Sequence, residues 1–301
     1  MGERLVIALG GNAMTAPDGS ASPQDQRAAV EAAMKHVGSL AAAGHQVMLT
    51  HGNGPQVGNL LLKNQIAADV VPPVPLDWCG AQTQGTIGTL ILNALTHPAA
   101  VVVTRTLVDA ADPAFEDPVK PIGRYFTEQE ARRLERLGQT WRRFERGWRR
   151  VVASPEPREI LDAPAAAALL DRGYVVVAAG GGGVPVVRGT DGRLRGVEAV
   201  VDKDLAAALL ARSIGASALV IATDVPCAVA GYGTPAARPI RETTAAELRL
   251  LHAAGHFARG SMGPKVEAAL RFVEHGGARA VICSLDDLGA AITGTAGTVV
   301  R

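Results

Sequence analysis

The sequence has few of the residues that would build a disulfide framework or a zinc site. Its 301 residues include three cysteines, Cys79, Cys227 and Cys283, which lie far apart and form no CxxC pair. Disulfide frameworks and zinc sites use more cysteines, at closer and recurring spacings. We therefore expect three buried, reduced thiols and no metal ion bound by them.

Neither sign of charge prevails in the chain. It has 30 basic and 29 acidic residues and a formal net charge of +1, which gives no general reason to expect nucleic acid or an anionic membrane as a partner. No apolar run approaches the ~20 residues that span a bilayer, and the chain enters its first predicted strand without a basic leader. With 48% hydrophobic residues, we expect a cytoplasmic protein that is globular, with one large domain or two lobes.

The motifs of several common enzyme classes are also missing. The sequence contains neither GxxxxGK[ST] nor GxGxxG, the glycine loops of P-loop and dinucleotide-binding proteins. It also lacks HExxH and GxSxG, which disfavours zincin and serine-hydrolase chemistry. Any phosphate-binding loop must therefore be of another kind.

What the sequence does contain is an alternation of short apolar runs and helical patterns. Residues 5–9, 46–50 and 99–104 are predicted strands, and residues 24–43 and 78–95 are predicted helices. Further strands are predicted at residues 174–179, 218–222, 280–284 and 297–300. This rhythm predicts an α/β fold with a mostly parallel sheet covered by helices.

Three predicted strands end in glycine-rich loops, GGNA (residues 10–13), HGNG (51–54) and GGGG (180–183). Open α/β sheets bind ligands at the carboxyl ends of their strands, and bare backbone amides there can hold an anion. One glycine turn often only reverses the chain, but four consecutive glycines cost about 1 kcal/mol each relative to alanine. Close approach of a ligand to the backbone is the usual reason. We interpret His51 as a strand-end or capping residue and not as a ligand-binding one.

Two lysines stand at predicted helix starts. Lys203 lies between the predicted N-cap Asp202 and Asp204, although a cation opposes the helix dipole there unless an anion lies nearby. The alternative interpretation is that Lys203 is a surface lysine between two acidic residues. Lys265 follows a Gly/Ser-rich loop, an anion-binding arrangement. Together with the glycine loops, these residues suit phosphoryl transfer, which needs positioned positive charge and backbone donors more than a nucleophile.

The segment at residues 110–158 differs in character from the rest of the chain. It is rich in proline at first and then basic, with nine arginines and four glutamates between residues 124 and 150. Trp141, Phe144 and Trp148 are predicted to share one face of a helix. We expect a small subdomain with an aromatic core and solvated arginines; a nucleic-acid surface is the alternative.

A series of motifs, in order along nearly the whole chain, resembles carbamate kinase within the amino acid kinase family. The motifs are GGNA (10–13), THGNGPQVG (50–58), TQGTIG (83–88), DPAFEDPVKPIG (112–123), GGGGVPVV (180–187), GVEAVVDKDLA (196–206) and GHFARGSMGPKVEAA (255–269). The resemblance implies a three-layer αβα sandwich with a mostly parallel central sheet. It also implies an acceptor lobe of about residues 1–215, a nucleotide lobe of about 216–301, and a small protruding subdomain at 110–158.

The activity that the resemblance implies is reversible phosphoryl transfer between ATP and carbamate, giving ADP and carbamoyl phosphate. Lysines and Mg²⁺ would stabilise the charge, without a covalent intermediate, in a homodimer that serves arginine or purine catabolism. The matching motifs assign charge stabilisation to Lys120, Lys203 and Lys265, with Asp204 orienting the lysines. The acceptor is assigned to Gly10, Gly11, Asn12, Gly52, Asn53, Gly181 and Gly182. The nucleotide is assigned to Thr223, Asp224 and Met262, with Lys265.

Two positions depart from the family pattern. Ala230 stands where an aromatic residue is usual, which predicts a looser nucleotide pocket, and Thr89 replaces a common tyrosine. Two alternatives therefore stay open: a related kinase of another small carboxylate or phosphonate, and a non-catalytic sensor of nucleotide or carbamoyl phosphate. The joint presence of Lys120, Lys203, Asp204 and Lys265 argues against the sensor. Without the resemblance, Lys120 would be interpreted as a solvated loop residue.

Overall fold

The computed structural model describes residues 2–11, 15, 22–136, 138–258 and 260–301. Asn12 lies outside these ranges, so its assignment to the acceptor stays a prediction. In chain order the helices are α1 (Pro23–Ala42), α2 (Gly54–Ala67), α3 (Leu76–Ala94), α4 (Glu128–Glu135), α5 (Ala163–Leu170), α6 (Lys203–Ser213), α7 (Ala245–Ala253), α8 (Met262–Glu274) and α9 (Leu288–Ile292).

The strands lie between these helices. In chain order they are β1 (Arg4–Leu9), β2 (Gln46–His51), β3 (Ala99–Val101), β4 (Arg105–Val108), β5 (Lys120–Phe126), β6 (Thr140–Phe144), β7 (Gly147–Val152), β8 (Pro157–Ile160), β9 (Val175–Val177), β10 (Val184–Arg188), β11 (Leu194–Gly196), β12 (Ala218–Thr223), β13 (Val229–Ala230), β14 (Arg238–Pro239), β15 (Glu242–Thr243), β16 (Arg279–Ser284) and β17 (Thr298–Val300). Gly180–Gly182 forms a short 3-10 turn.

The central sheet has the strand order β15-β17-β16-β12-β1-β2-β9-β3. Its neighbouring strands pair in parallel, apart from β16 and β17, which are antiparallel. β1 is central and pairs with β12 on one side and β2 on the other. The loops that follow these three strands therefore lie side by side at one edge of the sheet.

Successive residues of the strands face two separate cores. In β1, Val6 and Ala8 pack into the core formed with α5 to α8, whereas Leu5, Ile7 and Leu9 pack into the core formed with α1, α3 and α9. Such alternation follows from the two-residue period of a strand. Helices thus cover both faces of the sheet, and the predicted three-layer αβα sandwich is confirmed.

The predicted strand at residues 99–104 is shorter than expected. β3 ends at Val101, and beyond it the backbone of Thr104 hydrogen-bonds to the Gln84 side chain and to Val184 N, at the start of β10. The Thr104 N–H donates to Gln84 Oε1 at 2.8 Å, and its carbonyl accepts from Gln84 Nε2 at 3.2 Å. This contact between α3 and the chain after β3 directs residues 102–104 towards the glycine loop at 180–183.

The chain between β4 and β8 forms the protruding subdomain. There β7 pairs antiparallel with β5 and with β6, and α4 begins with a capping box between Thr127 and Glu130. Trp141 is buried against Ala131 and Leu134 of α4. The expected aromatic mini-core is confirmed, while the exact domain boundaries stay predictions.

The expectation that Trp141, Phe144 and Trp148 share a helical face is wrong. They lie on the hairpin of β6 and β7, in which Phe144 pairs with Gly147 across a two-residue loop. Gly147 has a φ of +131°, a conformation that favours glycine. Over so short a segment, the aromatic spacing fits a helix as well as a strand pair.

All three cysteines are free and buried, as expected. None of the helices in the described ranges is both long enough and apolar enough to cross a bilayer. The division into lobes near residue 215 stays a prediction.

His51 ends β2 and is completely buried beneath the glycine loop. Its Nδ1 lies 3.0 Å from the Gly52 carbonyl oxygen and therefore donates, while Nε2 has no hydrogen-bond partner in the part of the chain described. Burial lowers the pKa of His51 to about 4; the Gly52 carbonyl acts in the opposite direction, and the charge of Lys203 lowers it further. The imidazole is consequently neutral at physiological pH.

This buried histidine predicts acid destabilisation. The pKa of about 4 in the folded protein lies below the ordinary 6.5, so the unfolded chain binds more protons between these values and stability falls as pH falls. Linkage gives a contribution of about 2 kcal/mol lost between about pH 7.5 and 5. We expect His51→Gln to show a correspondingly shallower fall in the free energy of unfolding, measured by urea denaturation at both pH values.

The matched control is His275→Gln, which replaces an exposed histidine at the end of α8. It should keep the wild-type pH dependence. Parallel pH dependences of wild type and His51→Gln would contradict the assignment.

Candidate active site

Two cavities open at the edge of the sheet where the parallel strands end. One, of about 870 Å³, follows β1, β12 and β16 and is called here the β12 cavity. The other, of about 1020 Å³, follows β2 and β9 and is called the β2 cavity. Both are at the carboxyl ends of strands, where ligand sites of open α/β sheets occur.

The sequence-predicted site residues divide between these cavities. Thr223, Asp224, Met262 and Lys265, all predicted for the nucleotide, line the β12 cavity. Of the residues predicted for the acceptor, Asn53 and Gly181 line the β2 cavity, as does Lys120, whereas Gly10 and Gly11 line the β12 cavity. Gly52 lies between them: a Cβ added there would lie 3.2 Å from Gly11 N and 3.6 Å from Lys203 Cδ.

A buried carboxylate binds two of the predicted lysines. Asp204 Oδ1 accepts from Lys203 Nζ at 2.6 Å, and Oδ2 accepts from Lys265 Nζ at 3.3 Å. Asp204 is 3% exposed, and both lysine side chains are mostly buried. These three residues are called the charged centre. The alternative of a surface position for Lys203 is wrong, because α6 and α8 bring their first turns together here.

The charged centre favours an ionised carboxylate. Burial raises the pKa of Asp204, but the charges and hydrogen bonds of Lys203 and Lys265 outweigh this effect, so the pKa lies below its ordinary value. The two ammonium groups leave one net positive charge after pairing with Asp204. A buried excess of positive charge at two helix N-termini attracts an anion.

Lys120 reaches this region from the protruding subdomain. It is the first residue of β5, and its Nζ lies 3.0 Å from Asp202 Oδ2. The interpretation of Lys120 as a solvated loop residue is therefore wrong for this chain. Asp202 also caps α6, as the sequence predicts, because its Oδ1 accepts the N–H groups of Asp204 and Leu205.

The loop at residues 180–183 is held by threonines that sequence analysis missed. Thr50 Oγ1 donates to Ala179 O at 2.8 Å, Thr104 Oγ1 accepts from Ala179 N at 3.0 Å, and Thr106 Oγ1 donates to Gly182 O at 2.7 Å. Ala179 itself has a left-handed φ of +52°. Thr50 lies on β2, Thr106 on β4 and Thr104 just before β4, so the three share no sequence signal.

The glycines of this loop are required by close contacts as well as by backbone conformation. Gly181 has a φ of +67°, and a Cβ there would lie 2.1 Å from Asn53 Nδ2. Asn53 in turn donates from Nδ2 to Thr83 Oγ1 at 2.8 Å. The loop after β2 and the loop after β9 thus fit together only because Gly181 has no side chain.

The expectation that the Gly10 amide is bare is wrong. Gly10 N donates to Ala222 O at 2.9 Å, and the amides of Gly52 and Gly182 also donate to backbone carbonyls. The amides of Gly10 and Gly52 join the ends of neighbouring strands, whereas that of Gly182 closes a turn within its own loop on Ala179.

Residues that were not predicted as site residues also line the cavities. Tyr232, which lies between Gly231 and Gly233 in the sequence, is 81% exposed and lines the β12 cavity. Lys63, Arg124 and Arg149 line the β2 cavity. Tyr232 could have been recognised in the sequence as an aromatic residue flanked by two glycines. The positions of the three basic residues in the cavity depend on strand register in the subdomain and on the placement of α2, which the sequence does not show.

The β12 cavity offers carboxylates of the kind that hold a divalent metal ion. In the portion of the chain described, no group of three or more His, Cys, Asp or Glu side chains could by itself hold a metal ion. The β12 cavity does contain the carboxylates of Asp224 and Asp286. Mg²⁺ usually keeps several waters and binds through one or two carboxylates together with substrate phosphates.

Comparison with known proteins agrees with this geometry. The model of the amino acid kinase family matches residues 3–284. A carbamate kinase of Thermococcus kodakarensis is 44% identical, over 99% of this chain and 99% of that protein. A carbamate kinase-like protein of Escherichia coli (strain K12) is 43% identical, over 99% and 98%.

A solved structure is equally similar along the whole chain. Carbamate kinase from Giardia lamblia bound to AMP-PNP superimposes with a TM-score of 0.93 at 42% identity, and the match covers 99% of this chain and 98% of that one. The fold and the motif resemblance are both confirmed. The chain therefore belongs to the amino acid kinase family, and within it to the carbamate kinases.

Proposed function

We propose that this chain catalyses reversible phosphoryl transfer between ATP and carbamate, giving ADP and carbamoyl phosphate. The observation that carries the proposal is the charged centre, in which Asp204 holds Lys203 and Lys265 together. Lys265 also lines the β12 cavity, and Lys120, which lines the β2 cavity, contacts Asp202 beside Lys203. Positive charge thus extends from one cavity to the other.

The lysines are proposed to stabilise the phosphoryl group during transfer. Lys203 and Lys265 offer ammonium donors in a mostly buried site, where fixed charge acts strongly because it needs no reorganisation. Asp204 orients both lysines and does not itself react. Phosphoryl transfer requires no protein nucleophile in this arrangement, so we propose a direct transfer without a covalent intermediate.

The β12 cavity is proposed to bind the nucleotide, with Thr223, Asp224, Met262 and Lys265 in contact with it. When bound, Mg²⁺ neutralises charge on the phosphates, and Asp224 and Asp286 are the carboxylates placed to hold it, through water or directly. Tyr232 offers an exposed aromatic ring to the base. This ring lies two residues beyond Ala230, so the cavity has an aromatic residue although Ala230 itself is buried and small.

The β2 cavity is proposed to admit the acceptor. Asn53 and the N–H of Gly181 offer donors there, with Gly11, Gly52 and Gly182 forming the adjoining backbone. No Asp or Glu lines this cavity in the described ranges, whereas Lys63, Lys120, Arg124 and Arg149 do. Lys120 and Arg124 pair with carboxylates that lie outside this lining, Asp202 and Glu130. A lining that is itself cationic favours the entry of an anion such as carbamate or carbamoyl phosphate.

A kinase acting on another small carboxylate or phosphonate is the second candidate. The β2 cavity, at about 1020 Å³, is much larger than carbamate, and one relative of similar identity is named only as carbamate kinase-like. A non-catalytic sensor is disfavoured, because binding an anion alone does not require the charged centre and Lys120 together.

We further propose a homodimer in the cytoplasm, as the family resemblance implies. Large apolar side chains that are exposed near the end of α2 and the start of α3 offer a surface for a second copy: Ile66, Val70, Val71 and Trp78. Such a group is more apolar than a typical free surface.

The first prediction concerns the reaction. With ADP, Mg²⁺ and carbamoyl phosphate, we expect rapid formation of ATP, followed with a luciferase assay. Acetyl phosphate, also an acyl phosphate, serves as the competing phosphoryl donor, and carbamoyl phosphate should give the higher kcat/KM. No ATP from carbamoyl phosphate, with efficient turnover of another acyl phosphate, would favour the second candidate.

The second prediction concerns Lys203. Lys203→Ala should lower turnover by about 10² to 10⁴-fold, the range expected for a charge directed at the transition state, while circular dichroism shows a retained fold. Lys35→Ala, an exposed lysine on α1, is the matched control and should be fully active. A near-normal rate in Lys203→Ala would refute the assigned role.

The third prediction concerns Tyr232. Tyr232→Ala should raise KM for ADP by about 2- to 10-fold, the scale of one aromatic stacking contact, and leave KM for carbamoyl phosphate unchanged. Tyr174→Ala, which removes a partly exposed tyrosine outside both cavities, controls for loss of an aromatic ring. Equal changes in both KM values would argue against a nucleotide-specific contact.

A further inference from the structure

Asp202 lies where the protruding subdomain meets the helix that carries Lys203 and Asp204. Its Oδ1 accepts the N–H groups of Asp204 at 2.9 Å and Leu205 at 3.3 Å, so it caps α6. Its Oδ2 accepts a hydrogen bond from Lys120 Nζ at 3.0 Å. One carboxylate therefore contacts both the start of α6 and the lysine of the subdomain.

The orientation of Lys120 depends on this contact. The lysine side chain is 35% exposed, and that of Asp202 is 16% exposed. A lysine has a flexible stem and carries a compact charge, so its ammonium takes many positions when nothing holds it. Across the described part of the chain, Asp202 is the only carboxylate within ion-pair distance of Lys120.

The base of the subdomain has apolar contacts that do not involve this ion pair. Ile122 and Val152 pack with Val57 and Leu61 of α2 in a buried cluster. Loss of the ion pair should therefore free the Lys120 ammonium while the subdomain stays against α2.

From these contacts we infer that Asp202 is a positioning residue for phosphoryl transfer, which acts by directing the Lys120 ammonium towards the charged centre. Its effect on rate rests on the proposed function, whereas the contact with Lys120 does not. An ammonium has three N–H donors, so Lys120 can keep one on Asp202 and direct the others at phosphoryl oxygens. Charge placed before the reaction lowers a barrier more than charge that must first be ordered.

Asp202→Asn separates the two contacts of the carboxylate. Asparagine caps helices about as well as aspartate, so α6 keeps its start, but Lys120 loses its charged partner. We expect kcat for ATP formation to fall by about 10- to 100-fold, with a melting temperature close to that of the wild type. Asp162→Asn, at the residue before α5 that pairs with Arg105, is the matched control and should retain full activity.

Lys120→Ala and the double variant test whether Asp202 acts through Lys120. Lys120→Ala should be at least as slow as Asp202→Asn. The double variant should be no slower than Lys120→Ala, because Asp202 then has no lysine to orient. Losses that multiply would overturn the inference.

The reactivity of Lys120 gives a readout that does not depend on catalysis. Reductive methylation followed by mass spectrometry should modify Lys120 several times faster in Asp202→Asn than in the wild type, with exposed Lys63 as the internal reference. Faster modification in a protein that forms no ATP from any acyl phosphate would contradict the proposed function and support the contact. Unchanged ATP formation in an active Asp202→Asn variant would overturn the inference, whatever the reactivity.

Discussion

One buried carboxylate determines where α6 and α8 meet. Asp204 is 3% exposed, and an ion so placed would cost several kcal/mol without partners. Lys203 and Lys265 supply those partners from the first turns of α6 and α8, so the two helices must begin at the same place. Their packing permits this, because α6 turns small, buried alanines such as Ala207 and Ala211 into the core that it shares with α8. The site and the helix packing are therefore consequences of one constraint.

A second constraint acts on the loops that surround this carboxylate. Parallel strands β1, β2 and β12 end together, and their loops hydrogen-bond to each other through backbone amides, as Gly10 does to Ala222. That leaves little space for side chains, and a methyl group on Gly181 would overlap Asn53. Three threonines, two on strands and one between β3 and β4, then fix the backbone between Ala179 and Gly182. The glycines are needed for the approach of one loop to another as much as for the approach of a ligand.

The protruding subdomain is connected to this arrangement in two ways that differ physically. Apolar contacts between Ile122 and α2 hold the subdomain against the main body, and they act over an area without directing any one atom. The Lys120–Asp202 pair is directional and joins two individual groups. Asp202 also caps α6, the helix that begins with Lys203. Lys120 of the subdomain and Lys203 are therefore both held next to the same carboxylate. In this way a subdomain outside the central sheet supplies a charge at a defined position.

The sequence by itself determined the α/β class, the approximate positions of the helices and strands along the chain, and Asp202 as an N-cap. It also indicated which charged residues belong to the candidate site. These features are local, since they depend on periodicity, capping chemistry and motifs within a few turns of chain. It did not determine the hairpin of β6 and β7, because aromatic spacing over a few residues fits both periods. It also could not show which amides are paired, that Tyr232, Lys63 and Arg149 line the cavities, or that Lys120 contacts Asp202 from 82 residues away. Those facts depend on strand order and register, which only tertiary packing decides, because they bring together residues with no sequence relation to one another.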